Sequence, residues 1–227
     1  MPHAQYLVNP GNVDPALAST FACSGITVYS AIKKAMPLAA HEPVVLIGAG
    51  GLGLAAISML LALGHKSIVS VDISADKRAA ALEMGATHVV DGSGTNVAAL
   101  VLEATDGPVK AAIDFVNASS TAQLGLDCLA KGGKLILVGV AGGELVISLA
   151  GFIFKPRTVQ GSATGNPQDL RDVVALANAG KLKPIPPTSL KTKPNASSSR
   201  PHCLGGTAFH KSPTPREAHG GFSRVSG

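Results

Sequence analysis

Val44-Val45-Leu46-Ile47-Gly48-Ala49-Gly50-Gly51-Leu52-Gly53 is an apolar run that breaks into a Gly-x-Gly-x-x-Gly turn. A helix-patterned stretch follows, and then a second apolar run that closes on Ser70-Val71-Asp72. Strand, glycine turn, helix and a strand ending in an acid form the pattern that holds a dinucleotide. Gly48 permits the tight turn, Gly50 lets backbone approach a pyrophosphate, and Gly53 lets the helix pack closely on its strand. Gly51 completes the turn, and the helix expected from Leu52 has free N–H groups and a dipole that favour an anion. Asp72 follows Gly53 by 19 residues and is placed to accept the ribose hydroxyls of an adenosine.

The same residues admit two other readings. One is a glycine-rich turn that binds nothing. The other is a membrane span, because Pro43 to Gly64 is 22 residues without a charge and about 20 suffice to cross a bilayer. Four glycines within Gly48–Gly53 disfavour a continuous helix there. No comparable second span and no positively charged leader accompany it.

Outward from this stretch, strand and helix patterns alternate to about Gly180. Expected strands are Val44–Gly48, Ser67–Asp72, His88–Val90, Lys110–Phe115, Lys134–Gly139 and Arg157–Gly161. Expected helices are Leu52–Leu63, Ala75–Met84, Val97–Ala104, Ser120–Ala130 and Pro167–Ala179. Gly64, Gly85 and Gly132-Gly133 stand as stops, and Ser74, Thr95 and Ser119 or Ser120 stand near helix starts. Six strands joined by helices predict an α/β fold, a doubly wound six-stranded parallel sheet of the Rossmann type, with ligands at the carboxyl ends of its strands. A further helix is expected over Thr20–Met36, with Ala22, Ile26, Tyr29 and Ile32 on one face.

Composition agrees. Hydrophobic residues make up 46% of the 227, with no Trp and eight Phe plus Tyr, so the core is aliphatic, as suits strands buried on both faces. The three cysteines, Cys23, Cys128 and Cys203, are scattered and odd in number, which indicates a reducing, cytoplasmic setting without a disulfide framework. The net charge of +5 sits wholly in the tail: residues 181–227 carry +7 and residues 1–180 carry −2. A solvated basic tail explains this, so neither nucleic acid nor a membrane surface is an expected partner. From about residue 187 the chain loses apolar periodicity, and a disordered tail over 187–227 is expected, because such a segment buries too little to offset chain entropy.

Several separated motifs share one resemblance. Phe21-Ala22-Cys23-Ser24-Gly25-Ile26-Thr27-Val28-Tyr29, Gly48–Gly53, Val71-Asp72-Ile73-Ser74-Ala75-Asp76-Lys77, Ile113-Asp114-Phe115-Val116 and Gly132–Val140 stand in this order. Together they resemble the zinc-dependent alcohol dehydrogenases of the medium-chain dehydrogenase/reductase superfamily, over roughly residues 5–186. The resemblance implies an oxidoreductase that moves a hydride between an alcohol or aldehyde and NAD. It implies that residues 1–18 are a remnant of a GroES-like catalytic domain, that 19–186 form the cofactor domain, and that the chain is truncated. The tail looks foreign to the family, as a shifted reading frame or a mis-joined gene model would make it.

Residue roles follow from the resemblance alone. Cys23 matches a ligand of the catalytic zinc, and Thr27, one helical turn on, matches a nicotinamide contact. Leu52, Val116, Val138 and Gly139 match positions lining the cofactor cleft, and Lys77 matches a lysine near the adenosine ribose. Asp72 matches the residue that favours NAD over NADP. Asn117 stands where the family often has Gly. The other zinc ligands have no counterpart here, and one thiolate does not hold zinc tightly, so zinc is expected only in full-length relatives. Phe152–Gly161 matches the family's dimer edge. Two alternatives stay open: a zinc-free quinone-type reductase using NADPH, and a non-catalytic dinucleotide-binding fragment.

Some patterns carry little. Tyr29-x-x-x-Lys33 has the spacing of a short-chain dehydrogenase pair but precedes the glycine motif instead of following it. His41-Glu42 reads as a surface loop. His202, Cys203, His210 and His219 lack regular metal-ligand spacing. No Gly-x-Ser-x-Gly elbow or phosphate-binding Gly-Lys-Ser/Thr occurs.

Overall fold

The computed structural model describes residues 6–185. The expectation of a disordered tail, and the tail histidines, fall outside them. Six strands form one parallel sheet: β1 (Val44–Ile47), β2 (Ile68–Asp72), β3 (His88–Asp91), β4 (Val109–Asp114), β5 (Leu129–Leu137) and β6 (Thr158–Gly161). Their spatial order is β3-β2-β1-β4-β5-β6, with every pairing parallel. That order reverses direction between β1 and β4, which opens a crevice above the carboxyl ends of the central strands. β1 and β2 are buried along their whole length, as central parallel strands covered on both faces must be.

The helices are α1 (Pro15–Thr20), α2 (Ile26–Ala35), α3 (Gly51–Ala62), α4 (Ala75–Met84), α5 (Val97–Ala104), α6 (Ser119–Cys128), α7 (Leu149–Phe154) and α8 (Pro167–Asn178). They cover the sheet as two layers, each with its own apolar core. Ile32, Ile57, Leu60 and Val173 pack on one face, and Val101, Leu126, Leu129 and Leu135 on the other. The apolar run Pro43–Gly64 is no span: it divides into β1, a turn at Gly48 with φ +96°, and α3.

Local chemistry sets the boundaries. Ser74 caps α4, which ends at Gly85 in the left-handed region, φ +116°. Pro167 opens α8 behind a reciprocal cap between Asn166 and Asp169, the capping-box arrangement.

The structure departs from expectation in four places. The helix expected over Thr20–Met36 starts earlier, because Asp14 caps α1 at Leu17 N (3.0 Å) and Pro15 opens it. It is also interrupted by a wider π turn over Phe21–Gly25. Space at Gly25 is tight mainly within the turn itself: a Cβ there would stand 3.1 Å from Phe21 Cβ, with Val173 of α8 at 3.4 Å. β5 begins at Leu129 and not Lys134, because Leu129 already pairs with Val109 across a bulge that contains Gly132-Gly133. It ends at Leu137, two residues short of Gly139. α7 was not foreseen: Ser148 caps it at Gly151 N (3.2 Å), but its six residues show no buried side. The arm over 6–14 is held to the end of α8 by Asn178, which accepts from Asn12 N at 2.9 Å and donates to Pro10 O at 3.0 Å.

Candidate functional site

A cleft runs along the carboxyl ends of β2, β1 and β4, in two lobes. The first, about 360 Å³, lies between Gly48, Asp72 and Ile73 on one side and Val116, Thr121 and Leu124 on the other. The second, about 450 Å³, is formed by Gly50–Gly53 at the start of α3, with Phe115, Val116, Val140 and Ala141 opposite. Gly48, Asp72, Lys77 and Val116 border both lobes.

Two glycines of the turn, Gly48 and Gly53, have a steric reason, and Gly50 faces open space. A Cβ on Gly48 would lie 2.9 Å from Val116 Cγ2, on backbone already at positive φ. A Cβ on Gly53 would lie 2.0 Å from Gly48 O; α3 therefore sits on the turn with no room for a side chain. A Cβ on Gly50 would meet nothing within 4 Å. That open space faces the second lobe, where the free N–H groups of α3's first turn favour an anion. α3 has no side-chain cap at its N-terminus, which leaves those donors to a ligand or water.

Asp72 is 9% exposed. Its Oδ2 accepts from Ala49 N at 2.8 Å and its Oδ1 from Ser74 N at 2.9 Å. The carboxylate thus ties the glycine turn to the β2–α4 loop. Each oxygen keeps one further acceptor site, since a carboxylate accepts about four hydrogen bonds. Lys77 Nζ stands 4.0 Å from Oδ2, with its side chain half exposed. Arg78 is engaged elsewhere: it donates to Asp72 O at 2.8 Å and pairs with Asp91 at 2.9 Å.

Across the cleft, Asp114 ends β4 fully buried. Its Oδ1 accepts from Val116 N and Asn117 N, both at 2.9 Å, and Oδ2 has no partner. Asn117 sits at φ +60°, the left-handed region that Asn tolerates better than most residues. The Gly-to-Asn departure at this position is therefore accommodated by the backbone.

Val138 and Gly139 serve packing. Val138 is buried in the core, and a Cβ on Gly139 would lie 2.3 Å from the backbone of Val116. The cleft wall there is Val140, 94% exposed, with Ala141. Phe115, Ile73, Gly92, Val140 and Ala141 were not singled out from sequence. Each follows a strand's carboxyl end within a few residues, and that position, not side-chain type, was the available signal.

Cys23 and Thr27 lie outside both linings. Cys23 is exposed on the π turn, and its carbonyl accepts from Thr27 Oγ1 at 2.7 Å. Among the described residues no three His, Cys, Asp or Glu side chains come together as a metal site. The residues described do not fit a zinc ion. Tyr29 and Lys33 face α8, where Lys33 pairs with Asp169 at 2.7 Å. The Tyr29 phenol is pushed up by burial and then by Asp172, so the pair works in packing. Glu42 pairs with Lys110, and that contact holds its carboxyl below the ordinary range.

Residues 51–179 match the zinc-binding dehydrogenase family. The chain belongs to that family. Proteins similar to this chain carry NAD or NADP in their names. An NAD-dependent alcohol dehydrogenase of Sulfurisphaera tokodaii is 33% identical over 193 residues, which cover 84% of this chain and 55% of the relative. A D-arabinose 1-dehydrogenase (NADP(+)) of Saccharolobus solfataricus is 35% identical over 187 residues, 80% of this chain and 53% of the relative. The crystal structure of an alcohol dehydrogenase from Aeropyrum pernix superposes with a TM-score of 0.71 at 32% identity, over 78% of this chain and 52% of that one. The chain spans about half the length of the curated relatives it matches. A zinc-binding dehydrogenase of this extent carries the family's parallel sheet and the cleft above it.

Proposed function

We propose that this chain binds NAD in the two-lobed cleft and is the cofactor-binding part of an alcohol dehydrogenase-type oxidoreductase acting on a small alcohol or aldehyde. One observation carries the reading: Gly50 opens onto empty space at an uncapped helix N-terminus, while Asp72 closes the neighbouring lobe. The Asp72 oxygens accept the adenosine ribose hydroxyls, and Lys77 stands beside them. The N–H groups of Gly51, Leu52 and Gly53 receive the pyrophosphate. Val116, Val140 and Ala141 form an apolar wall that orients the nicotinamide end and keeps water off one face of it. Bound NAD supplies the hydride acceptor; orientation is the part of the chemistry these residues perform. The buried carboxylate of Asp72 disfavours a 2′-phosphate, so NAD is preferred over NADP.

Cys23 and Thr27 match zinc and nicotinamide positions of the family, but no zinc-dependent step is assigned, because Cys23 has no companion ligands among the described residues. That same observation supports a second reading, a dinucleotide-binding module without turnover. Residues 19–186 are taken as the cofactor domain and 1–18 as a remnant of the catalytic one. The unpaired thiols of Cys23 and Cys128 support a cytoplasmic setting. Phe152–Gly161 is proposed as a dimer edge: β6 ends the sheet, and Ile153 and Phe154 beside it are exposed.

Calorimetric titration of the full chain with NAD tests binding, and the appearance of reduced nicotinamide with a panel of small alcohols tests turnover. Saturable NAD binding with alcohol oxidation supports the dehydrogenase; binding without oxidation of any alcohol selects the module; no binding contradicts both.

A further inference from the structure

The second lobe has one wall made of a loop whose side chains at Val140 and Ala141 are exposed. Val140 is 94% exposed, so burial does not hold the loop after β5 in place. Hydrogen bonds to the turn after β4 hold it instead. Ala141 N donates to Val116 O and Gly142 N to Asn117 O, both at 3.1 Å. Side chains add two ties: Ser119 Oγ accepts from Glu144 N at 2.9 Å, and Asn117 Nδ2 donates to Gly139 O at 2.9 Å. The Asn117 tie meets the loop at Gly139, immediately before Val140. It is available because Asn117 adopts φ +60°, a conformation that turns its amide across to β5 while its own N–H stays on Asp114.

We propose that Asn117 is a positioning residue of the cofactor cleft, whose side-chain amide holds the β5 loop that walls the second lobe. The proposal rests on the cofactor reading above. It separates the lobes: Val140 and Ala141 border only the second, whereas Ile73, Gly92 and the start of α6 border only the first. A ligand confined to the first lobe does not feel the tie, and one that spans both lobes does.

Adenosine, which carries no phosphate to reach the start of α3, and NAD are the two probes, titrated against the full chain carrying Asn117→Gly or Asn117→Asp. Gly suits φ +60° without strain, and Asp tolerates it and keeps the shape of Asn but cannot donate to Gly139 O. The expected result for both variants is adenosine affinity within about two-fold of the unaltered chain and NAD affinity weaker by about five-fold, the size of one net hydrogen bond. Equal losses for adenosine and NAD would make Asn117 merely structural and overturn the proposal, as would unchanged NAD affinity. If the unaltered chain shows no saturable binding of either probe, the cofactor reading itself falls and takes this one with it.

Discussion

The Gly48–Gly53 turn and the Phe21–Gly25 turn both break regular structure, and they differ in what encloses them. Around the first, contacts close on themselves. Gly48 N donates to Val71 O at 2.7 Å, Asp72 grips Ala49 N, and Gly53 lies on Gly48 O. Around the second, Cys23 is exposed, and the contact its residue makes to Thr27 is through its carbonyl, not its thiol. A dinucleotide turn is built from residues close in sequence and needs little else. A metal site needs ligands carried in from elsewhere in a chain. The turn whose contacts are local closes on itself here, while no cluster of three metal-ligating side chains is assembled among the described residues.

The largest expected break comes from Gly53→Ala. Its Cβ falls on the Gly48 carbonyl, which is backbone and cannot swing aside. A loss of about 3 kcal/mol, or roughly 6–12 °C in melting temperature for a domain of this size, is the expected result of a thermal melt. An unchanged melt would show that the turn is looser than described.

Asp72→Asn comes next. It replaces one of two acceptors with a donor facing Ala49 N or Ser74 N, so about 1–3 kcal/mol is expected to be lost. Discrimination between NAD and NADP should narrow as well, measured by titrating both. Stability loss with discrimination intact would make Asp72 only a structural clasp.

A smaller effect lies away from both turns. His65 is buried behind α3, Nδ1 has no partner, and burial holds its imidazole below the ordinary 6.5. The unfolded chain takes up a proton near 6.5 that the folded chain refuses, so the unfolded state binds more protons in the interval below that value. Its contribution to stability is complete above pH 6.5, falls as pH drops toward the lowered folded value, and then levels. Denaturant midpoints between pH 7.5 and pH 5 should fall less in His65→Gln than in the unaltered chain; parallel curves would contradict this.

The smallest effect is expected at Cys23. Cys23→Ser should change stability by no more than about 0.5 kcal/mol and leave NAD affinity unchanged, and equimolar zinc should leave the melting temperature of either protein in place. Zinc-dependent stabilisation lost in Cys23→Ser would show that a metal site does assemble and would erase the contrast between the two turns.

The sheet was legible in the sequence because parallel strands buried on both faces read as apolar runs, such as Val44–Ile47 and Ile68–Asp72, between helices with ordinary caps. α4 and α5 fall on their expected bounds. α7 was not legible, because a six-residue helix with no buried side has no apolar period to detect. The π turn was not legible either: Phe21–Gly25 continues the helical apolar spacing, and nothing in its residue types marks the wider hydrogen-bond pattern. In the cleft, Gly48, Gly50, Gly53 and Asp72 were readable from type and spacing. Val140 and Asn117 were not assigned cleft roles, since an exposed Val and a turn Asn take their meaning only from the strands they follow.

The most direct test is a thermal melt of the purified full chain with and without millimolar NAD, with NADP beside it. NAD at 100 times its dissociation constant should stabilise by about 2.7 kcal/mol, a rise of roughly 5–11 °C, and NADP by clearly less. A cooperative melt that neither nucleotide moves would contradict the claim that this cleft holds NAD.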